Sequence, residues 1–330
     1  MAVTMAEIQK LRKISGAGMM DCKNALAKAE GDMDAALKIL REKGQAIAAK
    51  RSDRETSNGC VLAKKAEGFG AMIALKCETD FVANNADFVK LTQDILDAAV
   101  ANKCATLDEV KALPLYDTTV QQAVTDRSGI TGEKMELDGY MTISGADIAI
   151  YNHQNKNVLC TMVALSKVAD PVAGHEVAMQ VAAMAPIALN AESVPQEVKD
   201  RELAVAIDKT KEEQINKAVE AALKKAGINA NLVDSEDHIS SNIAKGWLTE
   251  EEAEKAREIK KTAAEQKAAN MPEQMIQNIA KGRMAKFFKE VCLLEQEYTK
   301  DAKINIAQYL KSVDPDLTVL DFKRFTLRAE

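Results

Sequence analysis

The spacing of apolar residues predicts helices at the start of the chain. Over residues 4–43 apolar side chains recur every three or four positions, and the segments "SGAG" and "GD" interrupt them. This pattern predicts three short helices, with Asp32 capping the third and Gly44 ending it, before a polar linker. The helical stripes contain Ile8, Leu11 and Ile14, then Met19, Cys22, Leu26 and Ala29, then Ala35, Ala36, Ile39 and Leu40.

From Gly59 onward the pattern becomes typical of strands. The stretch "CVLAKKAEGFGAMIALKCE" has two apolar runs around a Glu-Gly-Phe-Gly turn and predicts a β-hairpin. A helical stripe follows from Phe88 to about Lys103, and residues 105–134 predict helix and loop. The segments "MELDGYMTISG" and "DIAIYNH" predict further strands.

A weak internal repeat covers the strand-rich part of the chain. The segment "GAMIALKCETDFV" aligns with "VLCTMVALSKVAD", and "FVKLTQDILDAAV" aligns with "HEVAMQVAAMAPI". Because strand matches strand and helix matches helix, the repeat predicts two similar α+β subdomains. In the second copy the place of Thr79–Val82 is taken by roughly Val168–Pro171, which contains no aromatic residue. A corner of this kind therefore does not require Phe81.

Residues 196–285 are charged, alanine-rich and helical. A helix end is predicted at Gly227, a capping-box start at Thr249 with Glu252, and a break before a helix at Pro272. These signals predict an antiparallel helical hairpin that projects from the core, with a further helix after it. Beyond it, "VCLLEQEYT" predicts a strand, "INIAQYLKSV" a helix and "LTVLDFKRFTL" a last strand.

The chain as a whole therefore predicts an α+β fold in which antiparallel strands form two similar core subdomains. The inserted hairpin separates the second subdomain into two parts of the sequence. The predicted domains are a three-helix head (1–45), a linker (46–58), core subdomain N (59–140), core subdomain C (141–195 and 286–330) and the helical hairpin (196–285).

The composition argues against several classes of function. The 330 residues are 28% charged with a net charge of −6, and no basic tract suits a nucleic-acid partner. No apolar run approaches the roughly 20 residues that span a bilayer, and the N-terminus lacks the apolar core of a signal peptide. We therefore expect a cytoplasmic protein with no membrane contact. The six cysteines form no C-x-x-C pair and are expected to be free thiols.

The sequence contains no recognisable catalytic grouping. The segment "SGAGMMDCK" lacks the spacing of a phosphate loop, so a helix–turn–helix corner is favoured over nucleotide binding. No G-x-S-x-G elbow and no H-x-x-x-H zinc pair occurs. His153, in "AIYNHQNKN", is a lone turn histidine, which is more often solvated than functional. The chain is thus expected to bind another protein and not to be an enzyme.

Two places offer side chains for such a partner. Met19–Met20 cannot both face one core, and a spare methionine is typical of an adaptable contact surface. Asp80 and Phe81 stand where a helix begins, and Thr79 or Asp80 could be its N-cap. Spacing alone favours a different role for Phe81, because it precedes Phe88 by seven residues and would extend the core stripe.

At these residues the chain resembles the bacterial elongation factor Ts family. "LRKISGAGMMDCKNAL" is similar to the signature "LR..TGAGMMDCK.AL", and "CETDFVANNADF" is similar to "TDFVA....F". The resemblance continues through "YNH", "KGRMAKFFKEVCL" and "FKRF". It implies a ubiquitin-associated-like head, a core of two subdomains, a coiled-coil protrusion and guanine-nucleotide exchange on elongation factor Tu. The chain itself would need no nucleotide or metal cofactor.

The resemblance also implies roles for individual residues. In the family, a Thr-Asp-Phe-Val corner inserts its phenylalanine between two helices of the GTPase domain of elongation factor Tu. This displaces the groups that hold Mg²⁺ and loosens GDP, so the partner is bound in its GDP-bound and nucleotide-free states. The implied residues are Thr79, Asp80, Phe81 and Val82 at the corner, Arg12, Met19 and Met20 in the head, and His153 in the core.

Departures from the family pattern leave alternatives open. Where members often have His-Gly the chain has His153–Gln154, so the conformation of that turn is open. Residues 210–265 carry extra sequence, for which self-association is one alternative, and a C-terminal helix found in some members is not expected. The competing hypothesis is a chaperone-like holder of a GTPase or nascent chain, which would not need Asp80–Phe81. A metabolic enzyme is disfavoured by the missing catalytic grouping.

Overall fold

The computed structural model describes residues 3–328. The first part of the chain folds as the three predicted helices, α1 (Met5–Ser15), α2 (Met19–Lys28) and α3 (Met33–Lys50). Leu11, Cys22 and Leu26 are fully buried between them. Asp32 caps α3, as predicted, because its side chain accepts N–H groups from the first turn. The predicted core position of Ile14 is wrong: α1 ends one residue later, and the side chain is 52% exposed.

The next part of the chain builds the first sheet and its helices. Its elements are β1 (Asn58–Ala66), β2 (Phe69–Cys77), α4 (Asp80–Ala83), α5 (Ala86–Ala101), α6 (Leu107–Ala112), β3 (Pro114–Leu115), β4 (Thr118–Thr119), α7 (Val120–Thr131) and β5 (Met135–Ser144). The predicted hairpin of β1 and β2 is confirmed, and β5 pairs antiparallel with the other edge of β2. The predicted stripe of α5 is buried at Phe88, Ile95 and Ala99. The predicted boundary between residues 140 and 141 falls inside β5.

Helix α3 joins the head to the first sheet's helices through two glycines. Gly44 does not end α3, as predicted, but lies buried inside it. A Cβ atom on Gly129 of α7 would lie only 2.3 Å from the Cα atom of Gly44. The two helix backbones can therefore meet here because Gly129 has no side chain. Arg41 and Asp126 form an ion pair at 3.6 Å beside this crossing.

The second sheet begins with another hairpin, followed by a helix. Its elements are β6 (Asp147–Asn152), β7 (Leu159–Leu165) and α8 (Pro171–Met184). The turn between β6 and β7 holds Gln154, Asn155 and Asn157 at φ angles of 53°, 53° and 54°. Asparagine tolerates this left-handed conformation, whereas glutamine rarely adopts it. The turn therefore keeps, at Gln154, a backbone conformation that favours glycine.

Residues Asn190–Gln296 form a unit of their own, separate from Met1–Leu189 with Glu297–Glu330. Its helices are α9 (Gln196–Lys225), α10 (Glu236–Ala244), α11 (Glu250–Ala269) and α12 (Glu273–Val291). The capping box of Thr249 and Glu252 is confirmed. Leu223 at the end of α9 packs in one cluster with Ala253 and Ala256 at the start of α11, which makes this helix pair antiparallel. Self-association through this region stays a prediction.

The chain after α12 was predicted to be a strand and is mostly a turn. The carbonyl oxygen of Cys292 accepts the N–H groups of Glu295 at 3.0 Å and Gln296 at 2.9 Å. These hydrogen bonds fold the segment back on itself, so its apolar residues are buried in a turn and not in a sheet. The prediction for "VCLLEQEYT" is therefore wrong, apart from two residues of strand at its end.

The C-terminal residues complete the second sheet. They form β8 (Glu297–Tyr298), β9 (Asp301–Asn305), α13 (Ile306–Val313) and β10 (Val319–Thr326). Strand β10 pairs antiparallel with β7, which gives the order β10-β7-β6. Each sheet thus consists of a hairpin, a helix after its central strand and a later strand on the open edge. This shared topology agrees with the internal repeat, and the predicted α+β class is confirmed.

Two further properties concern the chain as a whole. Within residues 3–328 no helix combines the length and the apolar character needed to cross a bilayer. All six cysteines are free and buried. Burial raises the pKa of the Cys60 thiol to about 11 and that of the Cys160 thiol to about 12.

We predict that Gly129→Ala destabilises the contact between α3 and α7. The added methyl group would overlap the backbone of Gly44, and relieving such overpacking costs about 1–3 kcal/mol. Gly44→Ala is the matched control, because its new Cβ atom would lie at an ordinary 3.4 Å from the nearest atom. Thermal unfolding should show a lower midpoint for Gly129→Ala alone; equal midpoints would contradict the close crossing.

We predict that Gln154→Gly stabilises the protein. Removing the side chain relieves the left-handed conformation at that position, and we expect a gain of about 0.5–1 kcal/mol in the free energy of unfolding. Lys156→Gly is the control in the same turn, because Lys156 has a φ angle of −92° and gains no relief. Urea unfolding of both variants tests this, and an equal loss of stability would show that Gln154 is unstrained.

Candidate partner-binding corner

Residues Thr79–Val82, called here the Phe81 corner, connect the central strand of the first sheet to its helix. Thr79 is the N-cap of α4, and its Oγ1 atom accepts the N–H of Val82 at 3.4 Å. Val82 is half-buried and packs against the core of the first subdomain. Asp80 is the first residue of α4 and not its cap. Phe81 points outward and is 86% exposed.

The interpretation of Phe81 as a core residue is therefore wrong. Helix α4 ends at Ala83, and a separate helix begins at Ala86 with Asn85 as its own N-cap. Because two helices replace the single one that the spacing assumed, Phe81 and Phe88 do not share a face. Phe88 is fully buried, whereas Phe81 is the most exposed large apolar side chain among the described residues.

Asp80 is also exposed, and its carboxylate makes no hydrogen bond or ion pair within residues 3–328. Its carbonyl oxygen accepts the side-chain amide of Asn84 at 2.8 Å, which closes the short helix. The corner thus turns two neighbouring side chains, one acidic and one aromatic, toward the surrounding solution. Such a pair is free to contact a partner without first breaking internal contacts.

The corner is held by a residue that the sequence analysis missed. The carboxylate of Glu133, between α7 and β5, accepts the N–H groups of Glu78 at 3.1 Å and Thr79 at 3.0 Å. It also accepts the Thr79 hydroxyl at 2.6 Å. These partners lie 54 and 55 residues apart in the chain, so no local pattern could have predicted the contact.

The carboxylate of Glu78 forms a second connection between the same two segments, in which the segment of Glu133 provides the donor. It accepts the backbone N–H of Lys134 at 2.6 Å and both of its oxygens bind Arg51, at 2.9 and 3.0 Å. The N–H of Lys134 and the charge of Arg51 hold the pKa of the Glu78 carboxyl below its usual value. Cys77 lies beside this pair, and burial raises the pKa of its thiol to about 12.

The predicted head residues are exposed around the loop between α1 and α2. Arg12 lies near the end of α1, and Met19 and Met20 begin α2 with 40% and 64% of their surfaces exposed. Ile14 adds a further exposed apolar side chain on the same segment. Exposed methionines at a helix start agree with the prediction of an adaptable contact surface. Ile14 lines the groove of about 460 Å³ between the head and the first subdomain, whereas Arg12, Met19 and Met20 do not.

His153 lies in the second subdomain, in the 3₁₀ turn after β6. It is half-buried, and its Nδ1 atom is 3.1 Å from the hydroxyl oxygen of Tyr151. The ring of His175 packs edge to face against the ring of Tyr151, with 5.4 Å between the ring centroids. The structure therefore places His153 in an aromatic cluster with Tyr151 and His175.

Among residues 3–328 no three His, Cys, Asp or Glu side chains converge in a way that could hold an ion. What the corner offers is apolar surface and one carboxylate on a fixed backbone, which suits recognition of another macromolecule.

Comparison with known proteins places this architecture in one family. The family model described as Elongation factor TS matches residues 78–236 and 218–329. Elongation factor Ts of Bacteroides fragilis is 71% identical over 330 residues, covering all of both chains. The proteins of the same name from Bacteroides thetaiotaomicron and Porphyromonas gingivalis are 66% and 43% identical, again over the full length of each. The chain therefore belongs to the elongation factor Ts family.

Proposed function

We infer that the protein is a guanine-nucleotide exchange factor for elongation factor Tu and acts through the Phe81 corner. Thr79–Val82 would contact the GTPase domain of the GDP-bound partner, displace the groups that hold Mg²⁺ and promote GDP release. The observation that supports this most strongly is the exposure of Phe81 on a hydrogen-bonded corner. A ring with 86% of its surface exposed buries little apolar area within its own chain, so most of that area is left for a partner.

The physical chemistry of exchange fits such a side chain. Burying a phenylalanine in an apolar pocket of the partner contributes roughly 1.5–3 kcal/mol. Mg²⁺ bridges the phosphates of a bound nucleotide and keeps several waters, so a small displacement of its ligands weakens the site. A factor that binds the nucleotide-free partner more tightly than the GDP-bound one must weaken GDP by the same factor.

The other predicted residues would provide affinity. Arg12, Met19 and Met20 would contact the GTPase domain from the head, and His153 would belong to a separate contact in the core. The three-helix head would serve as a ubiquitin-associated-like binding module. In this proposal the chain shifts an equilibrium of its partner and carries out no covalent chemistry, so it is not an enzyme in the ordinary sense.

We predict that Phe81→Ala slows exchange without unfolding the protein. The lost burial of 1.5–3 kcal/mol corresponds to a roughly 10- to 100-fold slower release of fluorescent GDP from elongation factor Tu. Because Phe81 is 86% exposed, its removal should change the stability of the free chain by less than about 0.5 kcal/mol.

Two controls accompany this variant. Val168→Ala changes an apolar residue at the equivalent corner of the second copy, 78% exposed, and should leave exchange unchanged. Phe88→Ala removes a buried ring and should cost about 3–5 kcal/mol of stability. Failure of the wild-type protein to accelerate GDP release would reject the proposal. Tight binding without acceleration would instead support the holder hypothesis.

We predict a different signature for the head. Met20→Ala should raise the concentration of factor that gives half-maximal acceleration by roughly 10-fold, because about 1.5 kcal/mol of apolar contact is lost. The maximal rate should stay the same, since the side chain lies outside the Phe81 corner. Met184→Ala, at a 45% exposed methionine of the second subdomain, serves as the control. A fall in maximal rate for Met20→Ala would assign the head a direct part in nucleotide release.

A further inference from the structure

The position of Phe81 is set by the backbone beneath it. A side chain that is 86% exposed makes too few contacts with its own chain to fix where its ring lies. Its helix, α4, has only four residues and is too short to be stable alone. The position of the ring therefore depends on the contacts that hold the start of α4 against the sheet.

The regular pairing of the sheet ends just before the corner. The last paired residues of β2 and β5 are Cys77 and Met135. Beyond them, the N–H groups of Glu78 and Thr79 would have no ladder partner, and the carboxylate of Glu133 accepts both. One side chain thus continues the sheet by two hydrogen bonds past the point where the strands separate.

Glu133 also sets the direction of the N-cap. Its Oε1 atom accepts a hydrogen bond from the Thr79 hydroxyl, with 2.6 Å between the two oxygen atoms. Because the hydroxyl donates its hydrogen to Glu133, its oxygen acts as the acceptor toward α4. It accepts the N–H of Val82, with 3.4 Å between the nitrogen and the oxygen. A single chain of hydrogen bonds therefore runs from Glu133 through Thr79 to the residue next to Phe81.

Glu78 adds a reciprocal contact between the corner and the segment that contains Glu133. While the backbone of Glu78 donates to Glu133, its carboxylate accepts the N–H of Lys134, the residue after Glu133. Arg51, at the end of helix α3, binds this carboxylate with two hydrogen bonds. These reciprocal hydrogen bonds between residues 78–79 and 133–134 restrict rotation of the corner. Through Arg51 they also connect the corner to helix α3 of the head.

We propose that Glu133 is a positioning residue for nucleotide exchange: its carboxylate fixes the start of α4 and so the place from which Phe81 enters the partner. Glu133 touches neither the nucleotide nor Mg²⁺ in this proposal and acts through Phe81. The inference rests on the proposed function of the corner. It gives a part in exchange to a residue far from the family signature in the sequence.

The test is a double-mutant cycle on the release of fluorescent GDP from elongation factor Tu. Glu133→Ala should lower the maximal rate by about 10- to 100-fold, because a displacement of about 1 Å at a reacting site has effects of that size. The concentration for half-maximal acceleration should stay unchanged, since the head is untouched. In a Phe81→Ala background the same substitution should have no further effect, because Glu133 acts through that ring. An equal loss in both backgrounds would overturn the proposal.

A matched control and a second variant keep the result decisive. Glu136→Ala removes an exposed carboxylate at the start of β5, three residues after Glu133, and should leave exchange unchanged because this carboxylate accepts the Thr56 hydroxyl and not a group of the corner. Glu133→Gln keeps the size of the side chain but cannot accept both the backbone N–H groups and the hydroxyl proton. It should slow exchange in the same direction by a smaller factor, and wild-type rates for it would reject the inference.

Hydrogen exchange of the free protein separates a positioning role from a general loss of stability. Amides of residues 78–84 should exchange faster in Glu133→Ala, while those of the central strand β2 should not change. Faster exchange throughout the first sheet would indicate a structural role alone. If wild type accelerates GDP release and Phe81→Ala does not, but Glu133→Ala matches wild type, the positioning inference fails while the proposed function stands.

Discussion

Two backbone N–H groups, those of Glu78 and Thr79, lie just past the end of the β2 ladder, and the Glu133 carboxylate decides where they point. A donor that leaves water without gaining a partner costs about 1–3 kcal/mol, so the chain is held where the carboxylate can reach it. A charged acceptor strengthens each of these hydrogen bonds. The strand can therefore end abruptly and still deliver the next residues in a fixed direction.

The head is connected to this arrangement by one helix. Near its middle, α3 crosses α7 at the pair of glycines, and at its C-terminal end Arg51 binds the carboxylate of Glu78. Glu133 lies two residues after the end of α7. Arg51 and Glu133, which both bind Glu78, therefore follow two helices that contact each other. Movement of the head on the core would consequently be transmitted to the Phe81 corner through the covalent chain and through the ion pairs of Arg51 and Arg54 with Glu78.

Much of the fold could be predicted because local patterns are consistent with it. The hairpin of β1 and β2, the stripe of α5 and the capping box at Thr249 each follow from residues close together in sequence. The errors occur where the local structure depends on a contact between residues far apart in the sequence. Gly44 was interpreted as a helix end, but its partner is a second glycine on α7, 85 residues along the chain by the numbering.

The candidate site shows the same division. Spacing placed Phe81 in the core because it could not reveal the break between α4 and α5, and the family resemblance supplied the alternative that agrees with its exposure. Neither the spacing of apolar residues nor the family resemblance indicates a role for Glu133. It lies in no motif, and its hydrogen bonds connect segments that meet only after the sheet has formed.

The burial of all six thiols has a practical consequence for studying this molecule. Thiolates, not thiols, react with alkylating reagents, and burial both raises the pKa of Cys60, Cys77 and Cys160 and shields their sulfur atoms. We therefore expect the folded chain to react slowly with such reagents at neutral pH without any native cysteine being replaced. A single cysteine placed on the surface would carry a spectroscopic label alone, so the movement of one chosen element could be followed in the otherwise unaltered protein.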